Sequence, residues 1–177
     1  MQRDDLNARR AARTMDAFEP SRLLIQTRAE YVAALDALLP MARRSIQVFD
    51  PDLALPAFGD IARIEALRAF LRADRDNRLQ IALHGIETMQ RNMPRLLQLL
   101  RDFPDAIAIY RTEGEARRAQ DCFVLVDARH FVRRPVAEQA RGVYAVEEAS
   151  EGRQLQERFE QIWEVSEPAV SPTQLGL

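Results

Sequence analysis

Few residues in this 177-residue chain have side chains suited to chemistry. There are two histidines, His84 and His130, and one cysteine, Cys122. His130 stands three residues after Asp127, a spacing that could form an Asp–His acid/base couple. His84 follows the apolar segment RLQIAL, and a residue just past a strand's carboxyl end is where α/β sheets hold ligands. A phosphodiesterase built on His130 or His84 is therefore one reading. All 25 basic residues are Arg. That excludes a Walker A loop, a Schiff-base enzyme and any mechanism with a catalytic Lys. Arg pairs occur at Arg43–Arg44, Arg117–Arg118 and Arg133–Arg134, and a guanidinium binds phosphate or carboxylate bidentately. Arg111, Arg117 and Arg118 flank the apolar run at 122–126, which makes them the candidate anion-binding cluster. The remaining Arg read as solvated or ion-paired with the 27 acidic residues.

No cofactor is implied. Cys122 has no partner for an internal disulfide and reads as a small buried hydrophobe. One Cys and two His make no zinc site without carboxylate help. The acid pairs Asp74–Asp76 and Glu147–Glu148 form no metal motif, and no GxGxxG loop is present. Hydrophobic residues make up 47% and charged residues 29%, the balance of a folded globular chain. A net charge of -2 argues against a dedicated nucleic-acid binder. Residues 1–20 lack the apolar centre of a secretory signal, and no apolar run approaches the roughly 18 residues of a membrane span. A cytoplasmic protein without membrane partners is the expectation.

These side chains need a scaffold, and the hydrophobic pattern supplies one. RLLIQ (22–26), SIQVFD (45–50), RLQIAL (78–83) and AIAIY (106–110) read as strands. Helices are expected between them: one over 28–42 shortened or bent by Pro40, one capped by Asp60 and running through Leu71, and one over 88–100 with Pro94 near its start. CFVLV (122–126) is a fully apolar run and reads as a buried strand. Asp127 and Ala128 allow a tight turn into a hairpin partner at 130–133. GVYAV (142–146) is a further strand. Leu155, Phe159, Ile162 and Trp163 share one face of a closing helix over 150–164. The pattern gives an α/β fold, a mixed β-sheet flanked by helices, over 21–167, with tails at 1–20 and 168–177.

This order of elements resembles one half of the phospholipase D superfamily over about residues 22–166. The family motif is HxKxxxxD on a strand leading into a turn. Here the strand reads Gln120-Asp121-Cys122-Phe123-Val124-Leu125-Val126-Asp127. Asp127 matches the motif's Asp, Gln120 stands in the His position and Cys122 in the Lys position. The Gly-Ser-x-Asn that usually follows is absent, and Arg133-Arg134-Pro135 stands near its place. In that family the His forms the phospho-enzyme and the Lys clamps phosphate. An amide cannot replace imidazole as nucleophile, and a neutral thiol is no clamp. The resemblance therefore implies a non-catalytic domain acting in binding or assembly, close to bacterial domains of unknown function. Some of those are attached to acetyltransferase domains, so an acetyltransferase is an expected protein partner. Because the family pairs two motif halves and this chain has room for one, a homodimer is also expected. A weak nucleic-acid site through the Arg clusters is the remaining alternative.

Overall fold

The structure is a computed structural model that describes residues 18–169. It contains strands β1 (Ser21–Ile25), β2 (Ser45–Asp50), β3 (Arg78–Leu83), β4 (Ile107–Thr112), β5 (Cys122–Val126), β6 (His130–Arg134), β7 (Gly142–Val146) and β8 (Ser166–Pro168). Its helices are α1 (Arg28–Leu38), α2 (Ile61–Ala73), α3 (Glu87–Asn92), α4 (Pro94–Asp102) and α5 (Ala149–Glu164), with short 3-10 turns at 39–41 and 116–118. The strands form one sheet in the order β1-β7-β6-β5-β2-β3-β4-β8. Only β2–β3 and β3–β4 pair in parallel, and every other neighbouring pair is antiparallel. The expected mixed sheet is present.

Two apolar layers sandwich the sheet. Ile46, Val48, Val124, Val126 and Val132 point into the layer formed with α1, α2, α3 and α4. Phe49, Phe123, Leu125 and Phe131 point the other way, onto Leu155, Phe159 and Ile162 of α5. This two-residue alternation explains why CFVLV is apolar throughout: both its faces are covered within one chain, and Val124 is 1% exposed. The motif strand therefore offers no open face to a second copy.

Local signals set the helix ends. Thr27 accepts from the Glu30 N–H at 3.2 Å while the Glu30 carboxylate accepts from the Thr27 N–H at 3.0 Å, a capping box. Asp60 caps α2 by accepting from the Ala62 N–H at 3.0 Å. The helix expected over 28–42 ends at Leu38 and tightens into a 3-10 turn at Pro40. The single helix expected over 88–100 is two helices. Met93 takes φ -126°, ψ 57°, outside the helical region, because the Pro94 ring crowds a helical residue before it. β4 runs on to Thr112 because β8, which has no apolar pattern to announce it, pairs along Tyr110–Thr112. Of the expected N-terminal tail, 1–17 lies outside the described residues, while Phe18 packs against the core. Of the expected C-terminal tail, 168 belongs to β8 and 170–177 lies outside the described residues.

Candidate functional site

Strand β5 has two ends with different chemistry. At its first residue, Cys122 lies directly across from Arg134 of β6. Phe49 of β2 pairs with Phe123, so Asp50 and Cys122 meet at the carboxyl end of the parallel strands. The Arg134 Nη2 donates to Asp50 Oδ2 at 2.8 Å, its Nη1 donates to the Ala137 carbonyl at 2.6 Å, and its guanidinium lies 4.5 Å from the centre of the Tyr31 ring. Asp50 Oδ1 also accepts from the N–H groups of Leu53 at 2.8 Å and Asp52 at 3.2 Å. Arg134 and Cys122 are each 1% exposed and Asp50 is 2% exposed. Burial raises the Asp50 carboxyl above its ordinary value, against the pull of Arg134 and the two N–H groups. Burial, reinforced by the Asp50 charge, pushes the Cys122 thiol up to about 12, so it is neither a nucleophile nor a cation at neutral pH. The loop after β2 turns back into the core, with Leu53 and Phe58 fully buried.

At the other end, Asp127 and Ala128 take φ of 51° and 56° in a turn closed by the Arg129 N–H on the Val126 carbonyl. The Asp127 carboxylate accepts from three backbone N–H groups, those of Arg43 (2.9 Å), Arg44 (2.8 Å) and Ser45 (2.9 Å). It thereby ties the hairpin turn to the start of β2. The motif residue matched by sequence is thus a bracing residue, about 16 Å down the strand from Cys122 at ~3.3 Å per residue. Asp127 and His130 do line one cleft of about 560 Å³, together with Arg44, Arg129 and Glu147. Yet both carboxylate oxygens face backbone donors. His130, 3% exposed, accepts from the Glu147 N–H at Nδ1 (3.0 Å), which leaves the proton on Nε2, 3.5 Å from the Glu147 carboxylate. Burial holds His130 below its ordinary value.

His84 is also held at both nitrogens. Its Nε2 lies 3.0 Å from the Ala119 carbonyl and must donate to it, and its Nδ1 lies 2.7 Å from the Thr112 hydroxyl. The ring sits edge-on to Phe49. Of the anion-binding candidates, Arg111 pairs with Glu113 at 3.1 Å, and Arg117 and Arg118 are exposed on the 3-10 turn. Gln120 is exposed, and its carbonyl accepts from the Ala137 N–H at 2.7 Å. Among the described residues no group of three His, Cys, Asp or Glu converges as a metal ion would require, and no helix is long and apolar enough to cross a membrane. Sequence reasoning missed Asp50 and Tyr31, and named Arg134 only as one member of an Arg pair. The one available signal for Asp50 was a carboxylate closing the otherwise apolar strand SIQVFD.

A family model described as a domain of unknown function, DUF7931, matches residues 27–175. The chain belongs to that family. No curated protein sequence matches it. Among solved structures, this DUF7931 domain is similar to Nuc, a phospholipase D family member from Salmonella typhimurium, with a TM-score of 0.59 and 14% identity, covering 86% of this chain and 100% of Nuc. It is similar to NucT from Helicobacter pylori, with a TM-score of 0.57 and 11% identity over 85% of this chain and 100% of that one. It also resembles TrmBL2, an archaeal chromatin protein, at a TM-score of 0.61 and 12% identity over 94% of this chain and 64% of that one. The DUF7931 domain has the phospholipase D-like α/β fold, and at these identities the likeness concerns the fold alone.

Proposed function

We propose that this is a non-catalytic phospholipase D-like domain, one degenerate half of the fold, that acts by binding or assembly. The observation that carries this reading is the sealed pair at the head of β5. A phosphate clamp needs a cation with free N–H groups open to solvent. The cation beside the Lys position is Arg134, which is buried and spends its two terminal nitrogens on Asp50 and Ala137. Gln120 in the His position offers an amide, which can neither attack phosphorus nor leave from it. The two histidines are no substitute, since each has both ring nitrogens facing groups of its own fold.

Hydrolysis of bis(p-nitrophenyl) phosphate and of single-stranded DNA, with and without EDTA, tests the reading. Purified protein is expected to give rates within twofold of buffer. Turnover tenfold or more above buffer that His130→Ala or His84→Ala abolishes would overturn it and place the chemistry on that histidine.

A further inference from the structure

The two edges of the sheet are finished differently. β8, at one edge, is three residues long and ends in Pro168, a short strand of the kind that resists further pairing. β1, at the other edge, is five residues (SRLLI) in unbroken register with β7, with no bulge and no proline. Among the described residues its outer backbone edge has no neighbour in the sheet. Ile25 is buried in the core, but Leu23 is 59% exposed and Leu24, on the opposite face, is 75% exposed, two of the four large apolar side chains exposed among the described residues. The only charge on the strand, Arg22, is drawn aside to Glu151 at 2.8 Å and does not guard the edge. Leu24 also lines a hollow of about 370 Å³ with Pro135 and Val143, so apolar surface continues past the strand.

We propose that β1 pairs antiparallel with β1 of a second copy of this chain, joining two sheets across a two-fold axis through Leu23. The sequence of the strand selects this occupant. The strand is self-complementary: centred on Leu23, the register sets Leu23 against Leu23, Arg22 against Leu24 and Ser21 against Ile25, with no like charges opposed. Leu24 then lies along the aliphatic stem of the partner's Arg22, which keeps its guanidinium on Glu151. Phe18 turns inward over the end of the sheet and packs edge-on to the His130 ring, 5.3 Å between centroids. The inference gives the assembly reading a partner, yet it rests on β1 and not on the motif strand, so hydrolytic activity would leave it standing.

A charge swap on the axis tests it. Light scattering of the full chain from 5 to 200 µM is expected to give a mass rising toward twice 20.3 kDa. Leu23→Lys and Leu23→Glu, each placing two like charges face to face, are expected to stay monomeric. An equimolar mixture of the two is expected to restore the dimer. Thermal melts of each variant within a few degrees of the parent confirm that an exposed substitution has left the fold intact. A parent that stays monomeric throughout overturns the proposal, whatever segment covers β1. So does a dimer that survives both single variants, or a mixture that fails to reassociate.

Discussion

The buried Asp50–Arg134 pair gives the sharpest quantitative expectation. Asp50→Asn keeps the size of the side chain and an oxygen for the Leu53 and Asp52 N–H groups, but removes the charge facing Arg134. A guanidinium 1% exposed is then left without a counter-charge. Breaking such a pair from one side costs about 3–5 kcal/mol, against a total of roughly 5–15 kcal/mol for a domain. For a chain of this length that lowers Tm by roughly 6–20 °C. Arg134→Met behaves differently. The orphaned carboxylate keeps its two backbone donors and can take up a proton, toward which burial already pushes it. A raised carboxyl contributes a penalty at high pH that is relieved as pH falls through its folded value, so this variant should recover stability as the solution is acidified toward the ordinary carboxylate range. Asp50→Asn with Arg134→Met removes both charges while keeping an oxygen for the Leu53 and Asp52 N–H groups, and should lie within ~1 kcal/mol of the parent, or above it. Urea unfolding followed by the fluorescence of Trp163, stacked 3.9 Å from Tyr110, measures all four proteins. The reasoning is refuted if Asp50→Asn costs under ~1 kcal/mol, or if the double variant loses the sum of the two singles.

Two further outcomes follow from the same geometry. The Cys122 thiol, buried and pushed up to about 12, should resist Ellman's reagent in the native state and react only as fast as the protein opens globally, so rapid labelling without denaturant would contradict its placement. Burial lowers His130, against Glu147 and Asp127 and with Arg129 adding to the effect. Its stabilising contribution is thus present above its ordinary value of about 6.5 and lost as pH falls through its folded value, and His130→Gln should flatten the fall of Tm in that acid range.

The parts of the fold legible in the sequence are those where one physical signal acts alone. Ser45–Asp50, Arg78–Leu83, Cys122–Val126 and Gly142–Val146 are strands with the expected bounds because each is an apolar run closed by polar or turn residues. Asp60 announces α2 because a capping carboxylate is a local device. Met93 breaks a helical pattern whose apolar spacing continues through it, and only the following Pro94 betrays the break. β8 was invisible because Ser166–Pro168 is a strand only by virtue of the β4 edge beside it. The candidate site was hidden for the same reason on a larger scale. Asp50 and Arg134 are 84 residues apart, and each alone reads as a solvated charge. They meet only because the sheet places β6 beside β5 and β5 beside β2.

The match of Asp127 to the motif has a physical reading that its chemistry alone does not provide. A motif read as a unit mixes two demands, one from the reaction and one from the chain. Groups at the head of β5 would have to face solvent and substrate, whereas the group at the turn has only to receive the N–H groups that open β2. In this chain the second demand is met whatever the head of the strand does. Asp127 meets it with three backbone donors and a residue at φ 51°, a region where Asp is among the more tolerated side chains. At the head, a thiol opposite a guanidinium gives a layer that packs: Cys122 supplies small volume, Tyr31 a ring over the Arg134 guanidinium and Asp50 the counter-charge. A lysine at position 122 would place a second cation against Arg134 in that closed layer, where one carboxylate is already shared with two backbone donors. A lysine at 122 and the buried Asp50–Arg134 pair therefore exclude one another in this chain, and Cys122→Lys should lower the urea midpoint by far more than a surface substitution would.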